Sequence, residues 1–378
     1  MLNLRKISTT SQIDSEPTLL AMILAVVALG VLPAVCVAGI LFVPAFGYIW
    51  WTFAGVAVVL AWLIFGVSPK PSAVSPTGRQ RWLRRILRLT RILLIGFLTS
   101  WLGLILWSAL CLSGPAPPPK ADPALIRVVT WNIHCGQDEG LPWERFDWPA
   151  RKHALRAALD QARPDILCVQ EARPGQVAFL EEVLPGCRRA GVGRDGDAGG
   201  EHCAIYFDRH RFEMIGGKTF WLEEPIDQPR VGSALDVKRI CTWVRLRDQA
   251  SRRTLSIYNT HLYLTEASRR TAANIILKQV AAGDPTDAVL LTADFNASPS
   301  CASRRRFLEA GLADSAERAG KRTGKPTFHC CYGIGVTCLD GVLVDRHWLV
   351  HNHLILDVKP NNIFPSDHFA VLTDLGLE

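Results

Sequence analysis

No charged residue occurs between Glu16 and Lys70. A soluble core helix keeps a polar face, and this stretch offers none. It is long enough for two membrane-crossing helices, expected within residues 17–67 with an uncharged hairpin around Phe42-Val43-Pro44. A second uncharged apolar run, Ile92 to Leu112, predicts a third crossing at 92–112. Arg5 and Lys6 precede the first run as they would in a cleaved leader. The apolar stretch is too long for a leader, and no small-x-small cleavage site closes it. Residues 1–16 read as a short polar tail.

The net charge of +7 divides unevenly. Residues 1–120 carry ten basic side chains against Asp14 and Glu16, which leaves 32 basic against 33 acidic for the remainder. A domain that grips nucleic acid through many phosphates is normally basic; this one is not, and nucleic acid is not an expected partner. The basic excess lies in loop 68–91, where arginines alternate with Trp82, Leu83, Ile86, Leu87 and Leu89. That pattern suits the headgroups of an inner leaflet. The positive-inside rule places the loop and the N-terminal tail in the cytoplasm. Three crossings then put residues 122–378 outside it, after a proline-rich spacer at 113–121. The expected setting is a bacterial inner membrane, with the bilayer itself as a partner.

Within 122–378, strand-like and helix-like runs alternate, and several strands end in polar residues able to handle metal or phosphate. Ala288 to Leu291 leads into Asp294-Phe295-Asn296, where alternation points the acid and the amide to one side and the ring to the other. Asp-x-Asn after a strand is commonly a turn cap. Here, however, Ile126–Trp131 runs into Asn132, and Asp165–Val169 into Gln170-Glu171. Leu255–Asn259 runs into Thr260-His261-Leu262; Asp340 precedes Val342–Val344, and Ser366-Asp367-His368 precedes Phe369–Leu372. Such residues gathered at one rim of a layered α/β domain would build a site.

This ordered set, with Thr219-Phe220-Trp221-Leu222 and Lys325-Pro326-Thr327-Phe328-His329, resembles the endonuclease/exonuclease/phosphatase superfamily from about Ile126 onward. The resemblance implies a four-layer α/β/β/α sandwich, DNase I-like, behind the three membrane helices. It also implies a hydrolase that uses Mg2+, or Mn2+, on a phosphoester. Three spans followed by such a domain are similar to membrane-bound glycopeptide-resistance proteins of the VanJ type. That likeness implies a lipid-linked phosphate or diphosphate as substrate.

Glu171 is the expected principal magnesium ligand, with Asn132 beside it and Asp367 as a further ligand, because magnesium prefers oxygen and keeps several waters. Asp294 is expected to orient or deprotonate the attacking water and Asn296 to bond phosphoryl oxygens. His368 would act as acid or base with Asp340 fixing its tautomer, and His261 would donate to a phosphate oxygen. Arg239, in Lys238-Arg239-Ile240-Cys241-Thr242, is expected as an extra phosphate contact; Glu201 is left without a role. Gly341 and Cys338 stand where the family often has an aromatic and a basic residue. His329, Cys330, Cys331 and Cys338 fit zinc spacing poorly. Two other classes use the same residues differently: an extracytoplasmic nuclease, and a non-catalytic membrane sensor on this scaffold.

Overall fold

The computed structural model describes residues 114–135, 147–229, 237–321, 324–329, 333 and 335–378, with isolated helical positions at 78, 82, 85, 88, 89 and 96. Contacts divide the chain into Met1–Leu102 and Gly103–Glu378. The N-terminal tail and the three expected spans, apart from Gly96, lie outside the described residues. Among the described residues no helix is long and apolar enough to cross a membrane.

The second unit is built on two six-stranded sheets. In chain order the strands are β1 (Ile126–Asn132), β2 (Ile166–Ala172), β3 (Cys187–Ala190), β4 (His202–Asp208), β5 (Phe212–Trp221) and β6 (Ile240–Asp248). They continue as β7 (Thr254–His261), β8 (Ala288–Asp294), β9 (Ala313–Asp314), β10 (Asp340–Val344), β11 (Trp348–Leu356) and β12 (Ala370–Leu377). One sheet runs β11-β12-β1-β2-β4-β3, the other β5-β6-β7-β8-β10-β9. The two orders are the same pattern. Each holds one parallel pair at its centre, β1 with β2 and β7 with β8. A parallel pair needs a crossover, usually helical, and α1 (Trp148–Ala162) and α3 (Glu266–Ala281) supply the two.

These helices start where their sequences direct. Asp147 caps α1 by accepting from Ala150 N, and Thr265 caps α3 by accepting from Ser268 N. Both span the residues that hydrophobic patterning predicts. With α2 (Pro174–Val183), α1 covers the outer face of the first sheet through Leu155, Leu159 and Leu180 against Val129, Leu167 and Tyr206. On the second sheet, α3 and α4 (Ala302–Glu309) pack Ile276 and Phe307 against Tyr258, Leu291 and Phe295. Between the sheets lies a third core, with Val128, Cys168, Ile257, Leu290 and Val342 among its members. The layers are therefore helices, sheet, sheet, helices, as the family resemblance implies.

Several elements escape periodicity. β5 alternates irregularly because it is an edge strand with Gly216-Gly217 at a register shift. β11, the other sheet's edge, carries His351 on an exposed position and Asn352 and His353 on half-exposed ones. Edge strands with polar faces do not show a clean apolar row. The stretch from Gly114 to Lys120 has no helix or strand, in keeping with its prolines, but it is not free of the unit. Gly114 N–H donates to Asp357 O at 3.0 Å, Arg127 donates to Pro118 O at 2.8 Å, and Lys120 pairs with Asp165 at 2.8 Å.

His353 joins the sheets' outer margins through a 2.9 Å bond with Ser315 Oγ at the start of α5 (Ser315–Arg318). Burial pushes its imidazole down to about 4 from 6.5. The unfolded chain therefore takes up this proton first, and stability falls as pH drops from 6.5 towards 4. A His353→Gln variant should lose less stability across that window, by up to about 1.4 kcal/mol per pH unit. Urea midpoints at successive pH values measure it; equal slopes for both proteins would refute the assignment.

Candidate active site

Along the inner faces of the sheets, side chains change character in step. Apolar Val128, Cys168, Ile257 and Leu290 are followed two residues on by Thr130, Gln170, Asn259 and Thr292, all fully buried. Burying such groups is costly unless they bond one another. They do: Gln170 Nε2 donates to Asn259 Oδ1 at 2.7 Å and to Thr130 Oγ1 at 2.9 Å, and Thr292 Oγ1 to Asn259 Oδ1 at 3.1 Å. Asn259 Nδ2 caps Val169 O and Ala204 O. Two residues further on, three of the same rows reach Asn132, His261 and Asp294 at the strand ends.

Strand register then assembles the site. His261 lies opposite Asp294 in the parallel β7–β8 pair, and Asp340 opposite Asp294 in the antiparallel β8–β10 pair. Glu171 follows a different rule. Alternation would put it on the outer face beside Val169, but a bulge between Val169 and Ala172 interrupts β2, and Glu171 adopts a φ of 62°. That left-handed backbone costs on the order of 1 kcal/mol in a non-glycine residue. It turns the carboxylate to Asn132 Nδ2, at 2.9 Å, and to Cys135 N–H, at 2.9 Å. Asn296 also has a positive φ, 47°, a region that asparagine tolerates.

The predicted residues come together. Asn132 commits both amide hydrogens, to Glu171 Oε1 and to Asp294 Oδ2, each at 2.9 Å, while its Oδ1 accepts His134 N–H. Asp294 also accepts Asn296 N–H at 2.9 Å. Asn296 Nδ2 donates to Leu262 O and to His261 Nε2 at 2.8 Å, so the proton of a neutral His261 is on Nδ1. That Nδ1 is buried without a hydrogen-bond partner among the described residues and is 3.9 Å from Glu171. It is a donor held ready. Asn296, expected as a phosphoryl contact, spends its amide hydrogens on orienting His261.

His368 Nδ1 bonds Asp340 Oδ2 at 2.8 Å, and its Nε2 is 3.9 Å from Asp294. Asp367 and Glu171 flank His134 Nδ1 at 3.4 and 3.9 Å. Arg239 lies in a narrow cleft with Glu171, Glu201 and His261, its Nε buried without a partner among the described residues. Glu201 holds Arg194 at 2.7 Å and lies 3.9 Å from Arg239.

The electrostatics separate the titrating groups. Burial and the facing Asp340 push the Asp294 carboxyl up to about 6. Burial opposes ionisation of Glu171, but His134 and the Asn132 and Cys135 N–H donors overcome it and hold that carboxyl below the usual range. Burial and Arg239 drive His261 well down, to the neutral form. Burial acts against His368 too, yet Asp340, Asp367 and Asp294 raise it well above an ordinary imidazole. The rim thus holds one firmly ionised carboxylate, one carboxyl poised to exchange a proton, one neutral imidazole and one proton-bearing imidazole.

Sequence reasoning missed the supports. Arg151 on α1, fully buried, donates to Ile133 O, His134 O and Pro365 O, tying two site loops. Ser366 Oγ donates to Asn132 O at 2.6 Å. Arg304 stacks 4.4 Å from the Phe295 ring centroid and pairs with Asp314, and it fills the space that a Cβ on residue 341 would need. The departures at Gly341 and Cys338 therefore make room for a buried guanidinium. Thr327 was quoted only as part of a motif. Its Oγ1 accepts Leu339 N–H and Asp340 N–H, both at 3.0 Å, and its carbonyl accepts Phe369 N–H at 2.7 Å.

Comparison with known proteins agrees with this geometry. The model of the Endonuclease/Exonuclease/phosphatase family matches residues 129–368, and the chain belongs to that family. Nocturnin of Xenopus laevis is 24% identical over 296 residues, 67% of this chain and 73% of that protein. Nocturnin of Drosophila melanogaster is 29% identical over 199 residues, 46% of this chain but only 29% of that protein's length. The solved mannosyl-6-phosphatase of Bacteroides thetaiotaomicron superposes with a TM-score of 0.61 at 25% identity, covering 67% of this chain and all of its own. The chain has the fold and the site residues of this phosphatase and nuclease family, and it spans less than a third of the length of the Drosophila relative.

Thr327 links the Asp340 end of the His368–Asp340 pair to the strand that follows His368. Thr327→Val keeps the shape but leaves two backbone N–H groups without an acceptor, a loss of about 1–3 kcal/mol. Denaturant titration should show that loss together with reduced phosphoester turnover, and Thr327→Ser should restore both. A valine variant as stable and active as the parent would remove Thr327 from the support.

Proposed function

We propose that this family member is a divalent-metal-dependent phosphoester hydrolase, anchored in a membrane and acting outside the cytoplasm on a lipid phosphate or diphosphate. The carrying observation is the convergence of Glu171, Asp294, His261 and the His368–Asp340 pair on one rim. Membrane anchoring is supported by the uncharged runs before Leu112 and by the near balance of charge after residue 120. The three-span arrangement similar to VanJ-type proteins favours a lipid-linked substrate.

The donor set suits a hard cation such as Mg2+ or Mn2+. Glu171 is ionised, Asp367 Oδ2 lies with Glu171 Oε2 near His134 Nδ1, and the Asn132 amide lies beside Glu171. Oxygen ligands of this kind and number leave room for water. Such an ion would withdraw charge from the phosphoryl oxygens. Asp294, Asp340 and His368 also place ligand-type atoms within 4.8 Å of one another. There His368 spends Nδ1 on Asp340 and carries a proton, so we read this group as the acid–base pair instead.

In the proposed reaction Asp294 takes a proton from the attacking water, a task suited to a carboxyl raised towards neutrality. His261 Nδ1–H donates to a phosphoryl oxygen, with Asn296 fixing its tautomer. As water bonds to phosphorus the P–O bond to the leaving group breaks, and His368 Nε2–H, with Asp340 holding the ring, gives its proton to the leaving oxygen. Arg239 neutralises a further oxygen.

The full-length protein in detergent, beside Asp294→Ala, should be offered a polyprenyl diphosphate, a phosphodiester lipid and DNA. Lipid phosphate release is expected, reduced at least about a hundredfold in the variant and abolished by chelator. DNA hydrolysis with no release from lipid would overturn the lipid assignment in favour of the nuclease. Silence on every phosphoester would favour the sensor.

A further inference from the structure

The chain enters the catalytic unit at the same end as the catalytic residues. Gly114 N–H bonds Asp357 O. Asp357 follows Leu356, which pairs with Ala370, two residues beyond His368. One strand spacing and two residues of chain put Gly114 on the order of 15 Å from His368. From there the chain descends past Pro118 and Lys120 to Asp165, below β2, before β1 climbs back to Asn132. Only Ser113 separates Leu112, the end of the third apolar run, from Gly114. The two Cα steps reach at most about 7 Å.

Three of the exposed apolar side chains share that end, and Ile215, at the β5 register shift, does not. Five large ones are exposed among the described residues of the unit: Val192, Ile215, Leu264, Val336 and Leu349. Leu264 is three residues past His261 and 57% exposed. Val336, 49% exposed, bonds back to Phe328 O in the segment whose Phe328 bridges to His368. Val192 follows β3 and precedes Gly193, which bridges to His202 at the rim end of β4. The three stand on different loops around the opening. Scattered exposed apolar residues are ordinary; three of five gathered on separate loops beside one site, at the end where Gly114 joins the unit, form a surface.

We propose that the catalytic rim docks directly on the lipid bilayer, with Leu264 and Val336 entering its surface, so that a phosphate at the headgroup level meets His368 and Asp294 without leaving the membrane. The inference rests on the membrane-anchored reading and deepens it. The rim is an interfacial surface, and Leu264 and Val336 govern access to membrane-borne substrate while leaving the chemistry alone. Leu349, 47% exposed and paired beside Gly376 at the opposite end of the sandwich, faces away.

The test places a photo-crosslinking amino acid singly at Leu264, Val336 or Leu349 in the full-length protein, reconstituted in vesicles that contain an alkyne-tagged phospholipid. Lipid adducts are expected at 264 and 336 and not at 349. Adducts at 349 alone, equal labelling of all three, or protein–protein adducts at 264 and 336 would overturn the proposal. A second arm compares the parent with Leu264→Glu/Val336→Glu on lipid phosphate in vesicles and on a water-soluble phosphate monoester. The double variant should lose about tenfold or more on vesicles, the effect of ~1.4 kcal/mol, while turnover of the soluble ester stays unchanged. Equal loss on both substrates would overturn the assignment. Crosslinking needs no turnover, so it reports on the surface even if lipid phosphate is not the substrate.

Discussion

The site depends on a hydrogen bond beneath it. Gln170 reaches across the gap between the sheets to Asn259, and both are fully buried. Gln170 Nε2 is held by Asn259 and Thr130 while its Oε1 stays buried without a partner among the described residues, so losing the Asn259 contact would orphan further buried amide groups, and the pair fixes how the two sheets face each other. A one-residue slip of β2 or β7 within its own sheet would turn these amides out of the interior and bring their neighbours in. With the slip forbidden, Asn132, His261 and Asp294 meet one step above. The catalytic layer is placed by the polar layer, and the polar layer by the apolar core below.

What the scaffold holds in place is electrostatically unfavourable by itself. Asp294 and Asp340 face each other across paired strands, an arrangement that isolated sheets avoid. The conflict is relieved by His368, which bonds Asp340 and carries the proton, and by Asn132, which donates to Asp294. The remaining strain appears as a carboxyl raised to about 6, which is the property a base needs near neutrality. Glu171 is treated oppositely, with donors on both oxygens. Two carboxylates on one rim thus acquire separate tasks from their neighbours.

Much of this is legible in one dimension. A period of two carries Val128, Thr130 and Asn132 up one strand and Leu290, Thr292 and Asp294 up another, so the set of site residues follows from alternation and order, while the four-layer fold is what the family resemblance implies. Helices α1 and α3 are marked by their caps as well as by their apolar stripes. Glu171 is visible as a candidate, yet alternation points it away from the site. Only the bulge, which pairing with β4 creates, brings it inward.

The chain's order of residues therefore settles which chemical groups are available, which strands carry them and that an uncharged apolar segment precedes the domain. Local forces suffice for that, because burial periodicity and caps act over a few residues. Tertiary structure settles how each group is used. Asn296 orients His261 instead of standing free, Thr327 and Arg151 brace loops far from them in sequence, and Arg304 fills the room left by Gly341. It also places the entry of the chain beside the catalytic rim. These are contacts between residues tens or hundreds of positions apart, and no pattern within a strand or helix encodes which distant donor will meet which acceptor.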